Sequence, residues 1–278
     1  MTGNSNTKRT WLITGATSGI GEAVARSALD RGENVIAMAR STERLAELAH
    51  LGGDRVAAIA TDVRDGAQVD AAVAEGLARF GRIDVVANIA GYGLFGAVEE
   101  AKDEQVRAIF DTNVFALLNV LRATLPVLRQ QGSGHVLQGS SYYGLTAHAG
   151  VGMLASTKFA VEGLTDALIE EVAPLGIKVT AIEPGPTATS FLGNLDHVEP
   201  LGDYDRTVRA VQQSLSELPA EAFNSAPDVA EAILKIVDAA DAPRRLLTGS
   251  AAVDAVRQAL HARLAEIDSW ESVSRAVR

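Results

Sequence analysis

Short, mostly apolar runs alternate with longer segments of helical spacing along most of this 278-residue chain. The apolar runs lie at 11–13, 35–38, 56–59, 83–86, 135–137 and 179–182. The segments with helical spacing lie at 21–31, 43–51, 68–80, 104–129, 156–175 and 229–239. Strands that are apolar on both faces are typical of a parallel sheet with helices on each side. The alternation therefore predicts a doubly wound α/β fold with a parallel sheet of about seven strands.

Composition favours one domain spanning residues 1–278. The chain is 47% hydrophobic and 22% charged, which is enough apolar content for a sizeable core. A net charge of −10 argues against a nucleic-acid partner, because polyanion binding needs clustered Lys and Arg. Residues 1–10 lack an apolar signal core, and no uninterrupted apolar run reaches the ~20 residues that span a bilayer. We therefore expect a cytoplasmic protein with no membrane partner.

Metal and disulfide chemistry are not expected. Cysteine is absent, so the chain has neither a disulfide framework nor a thiolate site. The five histidines lack the spacing of paired metal ligands; they are His50, His135, His148, His197 and His261.

The stretch from about residue 190 to 226 differs in kind from the rest. It combines glycines, prolines and mixed charges with one modest helical pattern at 206–218. This composition predicts a lid over a ligand site, with a surface excursion of no role as the alternative. Pro227-Asp228 then indicates a helix start, and 251–267 has an amphipathic pattern, so C-terminal helices are expected over about 228–268.

A glycine-rich turn follows the first predicted strand and opens the first predicted helix. Its sequence is Thr14-Gly15-Ala16-Thr17-Ser18-Gly19-Ile20-Gly21. Glycines allow a tight turn there and let backbone N–H groups approach a pyrophosphate at the positive end of the helix. The turn therefore predicts a dinucleotide site.

Further motifs follow the later strands in order. They are Asp62-Val63, Asn88-Ile89-Ala90-Gly91, Ser141 with Leu154-Ala155-Ser156-Thr157-Lys158, and Pro184-Gly185-Pro186-Thr187-Ala188-Thr189. Together with the glycine-rich turn they resemble the short-chain dehydrogenase/reductase family, with Leu154 at the tyrosine of its Tyr-x-x-x-Lys motif. The resemblance runs from about residue 10 to 189, and more loosely beyond, and implies a single Rossmann-type domain. Ile89 replaces the second asparagine of the family's Asn-Asn-Ala-Gly, which puts one side-chain hydrogen bond in doubt.

The resemblance implies a site for NADP(H). The residues that it assigns to the cofactor are Gly15, Thr17, Ser18, Gly19, Ile20, Gly21, Arg40, Asp62, Val63, Asn88, Ala90, Gly91, Lys158, Pro184, Gly185, Thr187 and Thr189. Ala39 stands where NAD-selective members place an acid, and Arg40 follows it. A guanidinium suits bidentate phosphate contact, so NADP is favoured over NAD. A merely solvated Arg40 is the alternative, because the turn offers Ser18 rather than a second cation.

The same resemblance implies a set of four catalytic side chains, one of which is missing from this chain. In the family Asn, Ser, Tyr and Lys act together, and here Asn113, Ser141 and Lys158 match while Leu154 does not. Loss of a positioned general acid typically costs about 10²–10⁴ in rate. Lys158 keeps a use without the tyrosine, because its three donors can still hold ribose hydroxyls.

Three nearby side chains are considered as replacement donors. Tyr142 and His148 are candidates for the proton source, with pocket walls as the alternative for each. Tyr143 is expected to be a wall. The substrate is expected to be small and apolar, because Leu94, Phe95, Leu154, Phe191 and Leu192 are predicted to line the pocket.

Four functional hypotheses follow. The first is an NADP(H)-dependent oxidoreductase of this family that reduces an apolar carbonyl, enone or imine/iminium without the usual tyrosine. The second is a non-redox cyclase, isomerase or lyase that retains NADP, and the third is an inactive cofactor-sensing or partner-binding protein. The fourth is that Leu154 is an engineered replacement. The resemblance also suggests a homo-oligomer, a dimer or tetramer, packed through helices 104–129 and 156–175.

Overall fold

The computed structural model of the protein describes residues 8–277, apart from the side chain of Leu192. Its strands are β1 (Thr10–Thr14), β2 (Asn34–Ala39), β3 (Val56–Ala60), β4 (Val85–Asn88), β5 (Leu94–Phe95), β6 (Gly134–Gly139), β7 (Ile177–Pro184), β8 (Thr187–Ala188), β9 (Asp196–His197), β10 (Asn224–Ser225) and β11 (Arg245–Thr248). Its α-helices are α1 (Gly19–Asp30), α2 (Thr42–Gly52), α3 (Gly66–Phe80), α4 (Asp103–Phe110), α5 (Ala116–Gln131), α6 (Gly152–Val172), α7 (Ala210–Ser216), α8 (Ala226–Asp238) and α9 (Ser250–Ala276).

Seven strands form one parallel sheet in the order β11-β7-β6-β4-β1-β2-β3. This arrangement confirms the predicted doubly wound Rossmann-type fold. The strand order reverses between β1 and β4, where Thr14 lies between Met38 of β2 and Asn88 of β4. Ligand sites in such sheets lie outside the carboxyl ends of the strands at this reversal.

The sheet is buried on both faces because successive side chains of its strands point to opposite sides. On β1, Trp11 and Ile13 pack with α1 and α8, whereas Leu12 packs with α3, α5 and α6. All three side chains are fully buried. Burial of each such side chain contributes about 1.5–3 kcal/mol, so the two clusters hold the carboxyl ends of the strands in a rigid frame. A third apolar cluster, built around Phe95, Ile109 and Leu154, packs against segment 190–226, the predicted lid, which we call the lid below.

Side-chain caps fix where several helices begin. Ser41 Oγ accepts from Arg44 N at the start of α2, and Asp65 accepts from the N–H groups of Ala67 and Gln68 at the start of α3. Ser225 Oγ accepts from Asp228 N, and Pro227 lies in the first turn of α8. Such caps satisfy N–H groups that have no partner inside the helix. The helix start predicted at Pro227-Asp228 is confirmed within one turn.

The structure differs from the sequence-based boundaries in three places. The strand β11 lay outside the six apolar runs, because it is four residues long and begins with Arg245. The helix expected over 104–129 is interrupted by a π-helical turn at Asp111–Phe115. The terminal helix continues to Ala276 rather than ending near residue 267.

One helical stretch among residues 8–277, Asp103–Gln131, has the length and composition of a membrane span. Its Leu117, Val120 and Leu121 pack with α3 and the sheet in the second core cluster. The core helix of a sheet protein has the same apolar composition.

Candidate functional site

The glycine-rich turn lies at the carboxyl end of β1 and leads into α1. Gly15 and Gly19 adopt φ values of 67° and 53°, a region that favours glycine. A Cβ on Gly21 would lie 2.4 Å from the Gly15 carbonyl oxygen, so the turn closes on itself only with glycine there. Ser18 precedes α1 and its side chain makes no capping bond. The positive end of α1 is therefore bare backbone that faces the cleft.

Two cations, rather than one, lie just beyond the end of β2. Arg40 follows β2, is exposed, and forms no ion pair within residues 8–277. Arg44, on the first turn of α2, donates from Nη1 to the Thr17 carbonyl oxygen at 3.2 Å. This contact brings a second guanidinium to the glycine-rich turn, and the sequence alone did not predict it. The Ser41 cap is the sequence signal that could have predicted this contact. It starts α2 immediately after Arg40, so the beginning of α2 lies near the glycine-rich turn.

Asp62 lies beyond the end of β3 in an ion pair. Arg64 Nε donates to Asp62 Oδ1 at 3.0 Å, and Arg64 Nη2 donates to Asp62 Oδ2 at 2.5 Å. The hydrogen bond from the Arg64 side chain, outweighing burial, lowers the pKa of Asp62 to about 2. Gln68 Oε1 accepts from Asp62 N and so fixes the backbone before Val63. The carboxylate is therefore charged and held in place at neutral pH.

The turn after β4 is held by Thr14. Its hydroxyl accepts from the N–H groups of Ile89 and Ala90, both at 3.0 Å, and lies 3.4 Å from Asn88 Oδ1. Asn88 Nδ2 donates to the Leu117 carbonyl oxygen of α5. The turn keeps its shape with Ile89 at the second position, because backbone groups and Thr14 supply the bonds.

The π-helical turn at Asp111–Phe115 places Asn113 in the interior. Its Oδ1 accepts from Tyr92 N at 3.0 Å, and its Nδ2 donates to Tyr92 O and Thr157 Oγ1. Inserted π-turns are frequent at functional sites because they reorient one side chain without ending the helix. The amide therefore joins the loop after β4 to α6, one residue before Lys158.

Lys158 is a buried cation at the floor of the cleft. Its Nζ donates to the Gly139 carbonyl oxygen at 2.7 Å, which uses one of its three donors. A Cβ on Gly91 would lie 3.0 Å from Asn113 Oδ1 and 3.7 Å from this Nζ, so the Gly91 backbone lies directly beside both side chains. Burial lowers the pKa of Lys158 to about 8, although the Glu162 carboxylate acts in the opposite direction. The ammonium is thus poised to titrate close to neutral pH.

Leu154 lies one helical turn before Lys158 and lines the same cleft. Its side chain is 5% exposed and packs in the apolar cluster beneath the lid with Tyr143 and Val151. Ser141, which lies in the same cleft, accepts from Tyr143 N at 3.2 Å. At position 154 the cleft therefore presents hydrocarbon rather than a hydroxyl group.

The candidate replacement donors are arranged in two layers. Tyr142 and Tyr143 line the cleft with ring centroids 4.0 Å apart, whereas His148 does not line it. The Tyr143 hydroxyl lies 2.6 Å from His148 Nε2, and His148 Nδ1 lies 2.9 Å from the Ala149 carbonyl oxygen. Since a carbonyl only accepts, Nδ1 carries the proton and Nε2 accepts from Tyr143. In this form the only ring N–H of His148 is bonded to the Ala149 carbonyl oxygen, and burial raises the pKa of both phenols.

The loop after β7 completes the cleft. A Cβ on Gly19 would lie 3.2 Å from the Thr189 side chain, so this loop meets the glycine-rich turn across the cleft. Thr187 Oγ1 donates to Gly185 O, and Thr189 Oγ1 accepts from Phe191 N. These local bonds make a compact turn from Pro184 to Phe191.

The lid is attached to the loop that follows β4. β5 pairs with β9 in parallel, and the fully buried Glu100 carboxylate accepts from Leu201 N at 2.7 Å and from the Arg209 guanidinium. The lid residues that reach the cleft are mostly apolar: Phe191, Leu215, Leu218 and Phe223, with the polar Ser190 and Asn194 beside them. Leu94 and Phe95, which we expected in the pocket, are absent from its lining. They are buried below it, because Phe95 packs under Gly150 and Val208. The side chain of Leu192 lies outside the described part.

The predicted site residues thus fall into three groups. Those that line the cleft are Gly15, Ser18, Gly19, Ile20, Gly21, Ala90, Gly91, Ser141, Tyr142, Leu154, Lys158, Pro184, Gly185, Thr187 and Thr189. Arg40, Asp62 and Val63 lie further along the same edge of the sheet, at the ends of β2 and β3. Thr17, Asn88, Asn113 and His148 support neighbouring groups from behind.

A buried carboxylate pair lies behind Lys158, and the sequence analysis did not find it. Glu162 follows Lys158 by one turn of α6, and Glu183 lies on β7; both are buried. One guanidinium serves both, since Arg245 Nε lies 2.9 Å from Glu162 Oε2 and 3.3 Å from Glu183 Oε1. Burial, and then the Glu162 charge, raise the pKa of Glu183. The pair therefore retains a proton at a pH where an exposed glutamate has lost it.

This pair predicts a pH-dependent stability. The folded protein keeps the Glu183 proton above the ordinary carboxyl pKa of 4.5, whereas the unfolded chain releases it. The folded state then binds more protons, so the free energy of unfolding falls as the pH rises from that value towards neutral. Glu183→Gln, which mimics the protonated carboxyl, is expected to reduce this fall when denaturant unfolding is measured across the pH series. The exposed Glu170→Gln serves as control, and equal slopes for the two variants argue against a retained proton.

The fold and the position of the cleft define the Rossmann-type class of doubly wound α/β protein. The short chain dehydrogenase family model matches residues 9–200, and the chain belongs to this family. It is 38% identical over 268 residues to the oxidoreductase BOA17 of Botryotinia fuckeliana, covering 96% of this chain and 98% of that one. It is 33% identical to the 3-ketodihydrosphingosine reductase of Bacteroides thetaiotaomicron, covering 86% and 87%.

Solved structures agree with this assignment. A short-chain dehydrogenase from Streptomyces avermitilis has a TM-score of 0.92 at 38% identity, covering 99% of this chain and 100% of that one. A family member from Burkholderia phymatum in complex with NAD has a TM-score of 0.80 at 25% identity, covering 90% and 92%. An alcohol dehydrogenase from Thermococcus sibiricus complexed with 5-hydroxy-NADP has a TM-score of 0.72 at 26% identity, covering 87% and 96%. The chain is therefore an oxidoreductase of the short-chain dehydrogenase type.

Proposed function

We propose that this protein is an NADP(H)-dependent reductase of a small apolar carbonyl, enone or imine/iminium compound, and that it works without a tyrosine acid. The observation that carries the proposal is the cleft between the glycine-rich turn and the lid. One half presents backbone N–H groups and a buried lysine, and the other half is mostly apolar, with Leu154 and the lid residues Phe191, Leu215, Leu218 and Phe223. A charged dinucleotide suits the first half and an apolar substrate the second.

The residues fit a nicotinamide dinucleotide on structural grounds. The turn before α1 is closed by Gly21, where a Cβ would clash with the Gly15 carbonyl, and contains the positive-φ glycines Gly15 and Gly19, so bare backbone is available for close approach of a pyrophosphate. Lys158 has donors beyond its bond to Gly139, and these suit ribose hydroxyls. The loop from Pro184 to Thr189 would hold the nicotinamide end. The bound cofactor supplies the hydride.

Arg40 and Arg44 support the choice of NADP. Two guanidinium groups and the N-terminus of α2 lie where β2 ends, and Ala39 supplies no carboxylate there. Such an arrangement favours a 2′-phosphate through charge-assisted bonds. Solved relatives include complexes with NAD and with NADP forms, so family membership alone does not choose between them.

The double variant Arg40→Ala/Arg44→Ala tests this preference. Loss of two charge-assisted contacts of about 1.5–3 kcal/mol each predicts that the Kd for NADPH rises by about 10²-fold or more, with little change for NADH. Isothermal titration of both cofactors measures the effect, with Arg107→Ala on α4 as the control. Equal weakening for NADPH and NADH contradicts a 2′-phosphate site.

The chain's own groups decide which substrates react well. Reduction of a ketone needs a proton at oxygen, and the groups beside Leu154 give none readily, because the buried phenols have raised pKa values and Tyr143 is bonded to His148. An iminium carbon is already cationic and accepts hydride without a proton. We therefore expect iminium substrates to react faster than ketones of the same shape, for which water supplies the proton.

Single-turnover oxidation of NADPH against matched ketones, enones and cyclic imines tests the function. Nicotinamide absorbance is expected to fall with at least one class, and fastest with the iminium. The absence of any change across the whole panel, with cofactor binding intact, overturns the proposal.

A further inference from the structure

Two buried glutamates lie directly behind Lys158. Glu162 follows Lys158 by four residues, so the two side chains lie on the same face of α6, and both are buried. Glu183, near the carboxyl end of β7, is fully buried. We call Glu162 and Glu183 the acid pair. Neither of them lines the cleft, so the pair acts on the cleft only through its neighbours.

The strand register encloses the Glu183 side chain between the sheet and α6. Gly139 of β6 pairs with Ile182 of β7, so Ser140 and Glu183 follow side by side on the two strands. Side chains alternate along a strand, so Glu183 points to the same face as Val179, which packs with α6 in the second core cluster. The two carboxyl groups of the acid pair therefore meet at the packed contact between β7 and α6.

One guanidinium is divided among three acids at this contact. Arg245 Nε lies 2.9 Å from Glu162 Oε2 and 3.3 Å from Glu183 Oε1. Its Nη2 lies 2.7 Å from Oδ1 of Asp166, whose side chain is half exposed. A single cation that is shared in this way compensates the acid pair only in part, and uncompensated charge is costly away from water.

The hydrogen bonds favour one retained proton on the acid pair. Within residues 8–277, Glu162 Oε1 and both carboxyl oxygens of Glu183 have no hydrogen-bond partner. An ionised Glu183 lacks the donors that would stabilise it, and burial, followed by the Glu162 charge, raises its pKa. The pair therefore carries one negative charge at neutral pH, and two after this proton leaves at higher pH.

The other described elements around Lys158 bring no further charge to it. Its Nζ contacts the neutral Gly139 carbonyl of β6. Tyr142 and Tyr143 line the same cleft, and burial raises the pKa of both phenols, so they stay neutral. Glu162 is thus the charged group that favours the ammonium form of Lys158 against the effect of burial on its pKa.

We propose that the acid pair holds Lys158 in its charged form as the pH rises. The pair loses its proton, and the second negative charge that then appears behind Lys158 keeps the ammonium proton in place. Glu162 and Glu183 are positioning residues, because they act through Lys158 and touch neither cofactor nor substrate. The inference rests on the cofactor role proposed for Lys158, and it extends the pH range over which that role is kept.

The pH dependence of NADPH binding tests the acid pair. Glu183→Gln has the shape of the protonated side chain, so its Kd for NADPH is expected to match that of the wild type at neutral pH. The variant gains no second charge as the pH rises, so its affinity is expected to decline at a pH about one unit below that of the wild type. Titration calorimetry from neutral pH upward measures both curves.

Glu170→Gln is the matched control, because it removes an exposed glutamate from the same helix. Its affinity curve is expected to follow that of the wild type. Glu162→Gln serves as a second variant of the pair, and its affinity is also expected to decline at a lower pH, since the charge nearest Lys158 is lost. Weakening by the same factor at every pH in both pair variants indicates a structural role and overturns the inference.

NMR of protein with isotope-labelled lysine side chains follows the charge of Lys158 without cofactor. The Lys158 signal is identified by its loss in Lys158→Met, and its titration midpoint is expected to lie about one unit lower in Glu183→Gln than in the wild type. Equal midpoints overturn the role of the acid pair. A lower midpoint in Glu183→Gln, combined with NADPH affinity that does not change with pH, supports the acid pair and contradicts the cofactor role of Lys158.

Discussion

Leu154→Tyr is expected to raise the rate of ketone reduction by about 10²–10⁴, the usual contribution of a positioned general acid. The expected gain follows from the side chains that surround position 154. Leu154 lines the cleft one turn before Lys158, and Ser141 lines the same cleft. A phenol at this position has the Lys158 ammonium nearby to lower its pKa, so it gains the means to donate a proton. Steady-state kinetics with NADPH and a ketone measure the gain.

Leu154→Phe is the matched control for this gain. It adds the same ring without the hydroxyl, and both variants enlarge a side chain that packs tightly beneath the lid. Overpacking of this kind costs about 1–3 kcal/mol of stability, and both variants are expected to show it. The iminium rate is expected to change little in either. If the tyrosine variant is no faster than the phenylalanine variant on ketones, the rest of the catalytic group is not intact.

Lys158→Met is expected to weaken NADPH binding by about 10²-fold while leaving the fold stable. Two charge-assisted bonds to the ribose, at about 1.5–3 kcal/mol each, are lost. Two effects on the stability of the folded protein oppose each other. Removal of the buried ammonium removes its desolvation cost, whereas the Gly139 carbonyl loses its hydrogen-bond donor. Titration calorimetry and denaturant unfolding measure the two quantities separately.

Lys178→Met provides the control for this prediction. Lys178 also donates to backbone carbonyls, those of Ala239 and Ala240, but it lies at the opposite end of β7. Because the pKa of Lys158 is lowered to about 8, wild-type affinity for NADPH is expected to decline as the pH rises through that value. The Lys158→Met variant has no such decline. Equal affinities in the two lysine variants, or an identical pH profile in wild type and Lys158→Met, contradict the role given to Lys158.

The sequence was sufficient to predict the sheet and the glycine-rich turn between β1 and α1. Those parts depend on local signals, which are apolar runs for the strands and glycine spacing for the turn at Gly15 to Gly21. It was not sufficient for parts that need two distant segments to meet. Arg44 reaches the glycine-rich turn only because α2 begins beside it. Glu162 and Glu183 share Arg245 only because α6, β7 and β11 are neighbours.

Two other features were not predicted from the sequence, each for a different physical reason. The π-turn at Asp111–Phe115 has the composition of the helices around it, so periodicity alone does not separate it from them. The pairing of His148 with Tyr143 depends on rotamers rather than on spacing, and it places His148 behind the wall of the cleft. The side chains that decide the proton source are therefore the ones that sequence reasoning resolves least.

The most direct test of the central claim follows the hydride itself. NADPH that carries deuterium at the transferable position is incubated with the protein and a cyclic iminium, and the product is analysed by mass spectrometry. We predict one deuterium per molecule of amine and one oxidised cofactor for each. Product that forms without deuterium while the cofactor stays reduced contradicts a reductase.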